Sequence, residues 1–485
     1  MKRCILASLF LSGFLNAAEI TTEVCVVGGG SGGIGAAIAA GREGAETVLV
    51  EQFPTLGGTG GNGLVSNWEG GPGCEIAAEL YERMRAMGGA GVAPHSPSSM
   101  DIPNGFRMVD PAEPYEKSLV RAQPPAGGYR SVPYLPEAMD RAARDMMAAT
   151  GHVTIFDKTE FIEAQTDEKK TCVTAIRVQN RETGEISTIR AKVFIDCTGS
   201  VILCRNLGCE TYLGQDPKSR FAEESAPEKA TDRMNAVILG YRIEPRENAR
   251  KVEILPEEKA AYPKCAYVTG WRDGPRMVNM LTTFQGSEYQ KMGYDETMRR
   301  GQLVVKNHWA MLQKYEEFQN YELVEIAPML GIREDYRVKA KYMLRESDIF
   351  GGWDAQNHPD RIAVADHPAD THGVGGGLRH VATGYGVPYR CLIPDASYTN
   401  LLVACRGAGF SHIAASSCRL QRTMIQLGHA AGTAAAWAVR GDGNVEQIDV
   451  PKLVRHMNAY LRYPPFVKAR KPTMEITAKS LNSAM

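Results

Sequence analysis

The stretch VVGGGSGGIGAAIAAGREGAETVLVE, residues 26–51, constrains this chain more than any other. A β-branched run over 23–27 leads straight into Gly28-x-Gly30-x-x-Gly33. A small-residue helix continues to about Gly44, and 47–50 form a second buried strand that ends in Glu51. Each part has a mechanical reason: Gly28 permits the tight turn, Gly30 lets backbone approach a pyrophosphate, and Gly33 with Ala36 and Ala37 lets helix and sheet pack closely. The phosphates then lie on the helix N-terminus at Ser31, where free N–H groups and the dipole favour negative charge. Glu51 stands at the distance at which an acid accepts hydrogen bonds from a ribose diol, with Gln52 beside it, and its charge repels a 2′-phosphate. The stretch predicts a dinucleotide-binding strand–turn–helix.

That motif serves NAD and FAD alike, and the continuation separates them. Residues 57–63, GGTGGNG, form a second glycine-dense loop where nicotinamide enzymes carry an ordinary helix. A long flavin dinucleotide needs a second close backbone approach there, which side chains would obstruct. Gly58, Thr59, Asn62 and Gly63 are therefore assigned to the cofactor. Residues 193–196 read as a buried strand that returns to the same sheet and presents Thr198 and Gly199. Near the other end, the strand NLLVAC over 400–405 leads into a polar loop and a long small-residue helix, whose N–H groups face the negative charge of a reduced flavin. Ser416 and Arg419 lie at the start of that helix.

The order GGGSGG, E, GGTGGNG, IDCTGS, PMLGIRED, GVPYRCLIP, NLLVACR and LGHAAGTAAA resembles the FAD-dependent oxidoreductase family of the glutathione-reductase-like flavoproteins, over about 23–439. Relatives of that family include heterodisulfide reductase flavoprotein and, more distantly, fumarate reductase flavoproteins. The resemblance implies an α/β chain: a doubly wound Rossmann-like FAD-binding domain with a β-meander at 171–192, plus an inserted α+β substrate domain. The expected boundaries are 19–214 and 385–440 for the FAD domain, 215–384 for the insert, and 441–485 for a C-terminal helical tail. The resemblance also suggests that Phe161, beside Glu160, presents backbone to the adenine. The family's second strand–turn reads more like DATGDGD; here Cys197, Ser200 and Val201 depart from it, which weakens any role for Asp196.

The chain has 485 residues, enough for two domains, with 44% hydrophobic and 23% charged residues and a formal net charge of −1. No excess of positive charge attracts nucleic acid or anionic lipid. Lys2-Arg3, an apolar run over 4–15 and the small pair Ala17-Ala18 have the layout of a signal peptide over 1–18, which predicts a periplasmic or secreted protein. That run is too short to span a bilayer, so no stable membrane insertion is expected. Eleven cysteines are scattered without a CxxC pair or metal-ligand spacing, and no metal is expected. Cys204 and Cys209 have a spacing seen in redox-active disulfide enzymes, but in another part of the chain. No second strand–GxGxxG–helix unit follows, which argues against a separate nicotinamide domain.

Flavin carries the redox step, so the protein must position a substrate carbon and handle one proton. Three histidines fall in ADHPADTHGVGGGLRH, and His412 lies in the loop after Cys405. His372 and His412 are the expected bases, since an imidazole titrates near ~6.5. Arg333 and Arg390 are the expected clamps for a carboxylate or carbonyl, with Arg333 alternatively paired to Glu334 or Asp335. The leading expectation is an exported enzyme moving a hydride between flavin N5 and a small-molecule substrate, a carbohydrate or hydroxy acid, with electrons passed to or from a separate acceptor or donor. Two alternatives stand beside it: fumarate-reductase-like reduction of an activated double bond, and a redox-neutral flavin-dependent lyase or flavin-binding protein.

Overall fold

The computed structural model describes residues 18–93, 106–109, 113–119, 131–253, 266–271, 273–280, 282–372, 374, 378–381 and 384–460. Of the expected leader over 1–18 only Ala18 is described; all of 461–485 and most of 94–130 lie outside the described residues.

Five parallel strands form the sheet that the glycine turn belongs to, in the order Leu401–Val403, Val193–Asp196, Val24–Val27, Thr47–Val50, Val153–Phe156. All of Val24–Val27 and Val193–Asp196 is buried, as near-continuous apolar runs must be when helices cover both faces. The helix Ser31–Arg42 follows the turn and lies against the final long helix, Gln421–Ala438. Small residues make that contact possible. A Cβ on Gly428 would fall 1.9 Å from the Gly32 carbonyl oxygen, and one on Gly432 would fall 2.2 Å from that of Ala36. The alanine-rich sequence of the final helix is thus a packing face. The expected polar loop over 406–418 is a loop only in its first half: residues His412–Cys418 form a short helix capped by Ser411, whose hydroxyl accepts from the Ala414 N–H.

A separate four-stranded sheet is the meander. It runs Thr159–Thr166, Val173–Asn180 and Ile186–Arg190 antiparallel, with Ala18–Thr21 added in parallel. The insert has its own sheet, Tyr321–Ile326, Tyr241–Pro245, Arg276–Met280, Ala266–Gly270 and Phe106–Met108, and its own apolar core around Tyr241, Val278, Trp309 and Leu330. The long kinked helix Gly286–Leu312 packs on it. This second core draws on residues 237–332 and Leu64, whereas Val338, Ile349, 362–365 and Val381 pack into the first core. The insert is therefore narrower in packing than the expected 215–384, because the later strands close back on the final helix.

His308 is fully buried in the second core, its Nδ1 2.7 Å from the Tyr241 hydroxyl, and burial pushes its pKa down to about 3. The unfolded chain binds that proton near ~6.5. Stability from keeping His308 neutral is therefore fully present above pH ~6.5 and is lost as pH falls toward the folded value. A His308→Gln chain should show a shallower loss of thermal stability between neutral and mildly acidic pH; parallel curves for both chains would contradict this.

Candidate active site

A cavity of about 1030 Å³ runs between the parallel sheet and the insert. One end is made by the strand ends and turns of the first sheet: Gly28, Gly30, Ser31, Glu51, Gln52, Gly58, Thr59, Phe161, Thr198 and Gly199 all line it. The two glycine loops touch there, the Gly57 N–H donating to the Gly29 carbonyl at 2.9 Å. Space in the first turn is unequal. A Cβ would strike protein at 1.8 Å on Gly33 and 2.6 Å on Gly28, but on Gly30 it would meet only the Gly58 Cα, at 3.9 Å. Gly30 is thus the position at which bare backbone faces open volume. Gly58 closes the opposite side with φ +52°, and a Cβ there would sit 2.9 Å from the Gly30 Cα.

Glu51 is buried and accepts hydrogen bonds from the Gly29 N–H at 2.6 Å and the Phe53 N–H at 2.9 Å. Burial outweighs both bonds and pushes its carboxyl up to about 7. The acid therefore braces the turn as well as facing the cavity. Asp196 is fully buried and does not line the cavity; its carboxylate accepts from the Thr198 N–H at 3.0 Å and hydroxyl at 2.7 Å, and so presents Thr198. The final helix opens at the same cavity through Leu420, Gln421 and Met424. Arg406 also lines it, at the end of strand Leu401–Val403; its buried Nε has no hydrogen-bond partner among the described residues. An open Gly30, an acid beside it, a helix start and a half-buried guanidinium fit an extended dinucleotide with two phosphates and an anionic ring edge.

The other end joins residues from both cores. His372 Nε2 is 2.7 Å from Asp370 Oδ2, and Arg419 Nη2 is 3.4 Å from the same oxygen. Arg333 lines the same wall from the insert, and its one hydrogen bond among the described residues is to the Ala236 carbonyl, 3.0 Å away. Its sequence neighbours are taken: Glu334 pairs with His412 and Arg337, and Asp335 accepts from the Ser200 hydroxyl. Burial, with Arg419 nearby, pulls the Arg333 guanidinium down to about 9. Burial likewise lowers the His372 imidazole below its ordinary value, opposed by Asp370 and reinforced by Arg333. Asp370 is held far below the carboxylate range by its bond to His372 and by Arg419, despite burial. This wall thus offers a neutral imidazole oriented by a carboxylate, beside two guanidinium groups.

Several expected site residues lie elsewhere. Arg390 does not line the cavity; it forms a bidentate pair with Asp360 at 2.9 and 3.0 Å and sits over the Tyr342 ring. His412 is buried, Nδ1 2.7 Å from Glu334, and starts a helix with its N–H on Asp216. The Ser416 hydroxyl donates to its own helix at the Ile413 carbonyl, 2.7 Å away. Asn62 exchanges two bonds with Thr55, and Gly63 packs against Thr59 inside the loop. Asn62 and Gly63 thus shape the second loop without facing the cavity, and Gly33 serves helix packing. Arg406 was not among the expected ligands; the signal for it is its place just beyond the C-terminal end of a parallel strand, where such sheets bind ligands. Asp370 was not among the expected site residues, and its signal in the sequence is a loop carboxylate two residues from His372.

A family model described as FAD dependent oxidoreductase matches residues 23–457. No curated protein sequence matches the chain. Among solved structures, it is similar to a geranylgeranyl bacteriochlorophyll reductase-like protein from Thermoplasma acidophilum, at 13% identity over 91% of this chain and 83% of that one, TM-score 0.44. It is also similar to a triple mutant of the flavin-dependent brominase Bmp2, at 12% identity over 90% and 84%, TM-score 0.43. The myxobacterial chondrochloren halogenase CndH stands at 12% identity over 90% and 78%, TM-score 0.39.

Proposed function

Because the chain belongs to the family of FAD-dependent oxidoreductases, we propose that it oxidises a hydroxyl-bearing carbon of a small polar substrate, a hydroxy acid or a carbohydrate, with His372 taking the hydroxyl proton. Gly30, Gly58, Glu51, Thr198 and the start of the final helix would hold FAD, which when bound supplies the redox chemistry by accepting the hydride at N5. The observation that carries the reading is the Asp370–His372 pair, 2.7 Å apart in a cavity wall that also holds Arg333. With Nε2–H donated to Asp370, Nδ1 keeps its lone pair and accepts a proton. The lowered pKa keeps the ring neutral at physiological pH, as a base must be. Arg333, with no carboxylate bonded to it among the described residues, binds an anionic group, which favours a hydroxy acid over a neutral sugar.

Anaerobic addition of hydroxy acids, sugars and simple alcohols to the flavin-loaded protein tests this directly. Bleaching of the flavin band by one of these classes is expected; a band unmoved by all three would end the proposal. Arg333→Gln should raise KM for a hydroxy acid at least about tenfold, a loss of about 1.4 kcal/mol. It should leave a neutral substrate nearly unaffected, while Arg390→Ala leaves both within about twofold, because Arg390 is spoken for by Asp360. Equal effects of the two changes would remove Arg333 from the site.

The depressed pKa of Arg333 also favours a second reading, reduction of an activated double bond with Arg333 as proton donor. In that case reduced enzyme is reoxidised by an unsaturated acid and not by a ketone. The leader-like layout of residues 1–18 in the sequence is the reason we propose placement in the periplasm or outside the cell. The mass of protein recovered from those fractions should start near residue 19; a full-length chain confined to the cytoplasm would refute export. No described helix is long and apolar enough to cross a membrane.

A further inference from the structure

We propose that Cys204 and Cys209 are a disulfide-forming pair, closed by exchange with a soluble external disulfide, independently of the reaction proposed above. The short helix Ile202–Asn206 ends at Leu207, and Gly208 takes the left-handed conformation, φ +76°. The Gly208 N–H donates to the Arg205 carbonyl at 3.1 Å and the Cys209 N–H to the Cys204 carbonyl at 3.0 Å. These two bonds define a Schellman closure, in which the third residue from the helix end and the second beyond it bring their side chains together. In most proteins both are apolar; here both are cysteines.

The neighbouring Cys204 thiol draws the Cys209 thiol below its ordinary value, while burial drives Cys204 well above. Cys209 is also the more accessible, 9% exposed against 0%. It is therefore the attacking sulfur. Cys209 as thiolate displaces one thiol from the external disulfide to form a mixed disulfide; Cys204, losing its proton, then displaces the second. Two protein thiols lose two electrons and two protons, and the external disulfide leaves as two thiols. The bridge is tied to the cavity wall, since the Cys204 N–H donates to Asp196 Oδ2 at 3.0 Å and Asp196 holds Thr198 through its other oxygen.

Trypsin provides the test, because cleavage after Arg205 places the two cysteines on separate fragments, 193–205 and 206–218. Full-length flavin-loaded protein is incubated with oxidised glutathione, alkylated and digested without reduction. Most of the two fragments should be recovered as one linked mass that separates on reduction. Cys197 shares the first fragment, so the same digest is run on Cys204→Ser: the link should vanish. Recovery of two separately alkylated fragments from the native chain, or an equally abundant link in Cys204→Ser, would overturn the proposal.

Discussion

A Gly30→Val chain is expected to fold and to emerge without flavin. Gly30 has φ −70° and ψ −173°, extended backbone that valine adopts readily, and its Cβ would meet only the Gly58 Cα, at 3.9 Å. The branched side chain would then occupy the gap between the two glycine loops, where a pyrophosphate must touch backbone. Cofactor affinity should fall at least about tenfold, with protein stability changed by less than about 1 kcal/mol. Gly428→Val is the contrasting case. Its Cβ would lie 1.9 Å from the Gly32 carbonyl oxygen, between two helix backbones that have no room to separate. Overpacking of this kind costs about 1–3 kcal/mol and sometimes more, against a total stability of about 5–15. Thermal melting and flavin absorbance of the two variants, side by side, check both. A folded Gly30→Val protein that is yellow would show that the dinucleotide does not lie between the two loops, and one that fails to fold would show that Gly30 does not face open volume.

The second large effect concerns the pair at the other end. His372→Asn should lower the rate of flavin reduction by about 10²- to 10⁴-fold while FAD still binds, because the base is lost and the cofactor cradle is not touched. The pH profile carries more information than the rate. In the native enzyme, activity should fall as pH drops through the His372 pKa, which burial sets below the ordinary ~6.5. Asp370→Asn removes the group that opposes burial, so the acid limb should move to lower pH as the rate falls. Arg333→Gln removes a cation that depresses the same pKa, so its acid limb should move up. Opposite displacements of one limb are a signature that a merely structural role for His372 would not give. A profile unchanged in both variants would exclude His372 as the base.

What the sequence determined by itself is local. The turn from Gly28 to Gly33 and the strands Thr47–Val50 and Val193–Asp196 were legible because neighbouring residues impose them: β-branched runs, and glycines at measured spacing. Those same neighbours brought Gly30, Glu51 and Thr198 to one end of one cavity. Charged side chains obey no such rule. Arg390 was satisfied by Asp360, thirty positions away, and His412 by Glu334, seventy-eight away, while Arg333 found its adjacent acids already engaged. A guanidinium or imidazole is available to the cavity only when the folded chain brings it to the wall with a nitrogen left unengaged, as with Arg333 and His372. Tertiary packing alone decides that, because long-range ion pairing depends on which strand ends meet.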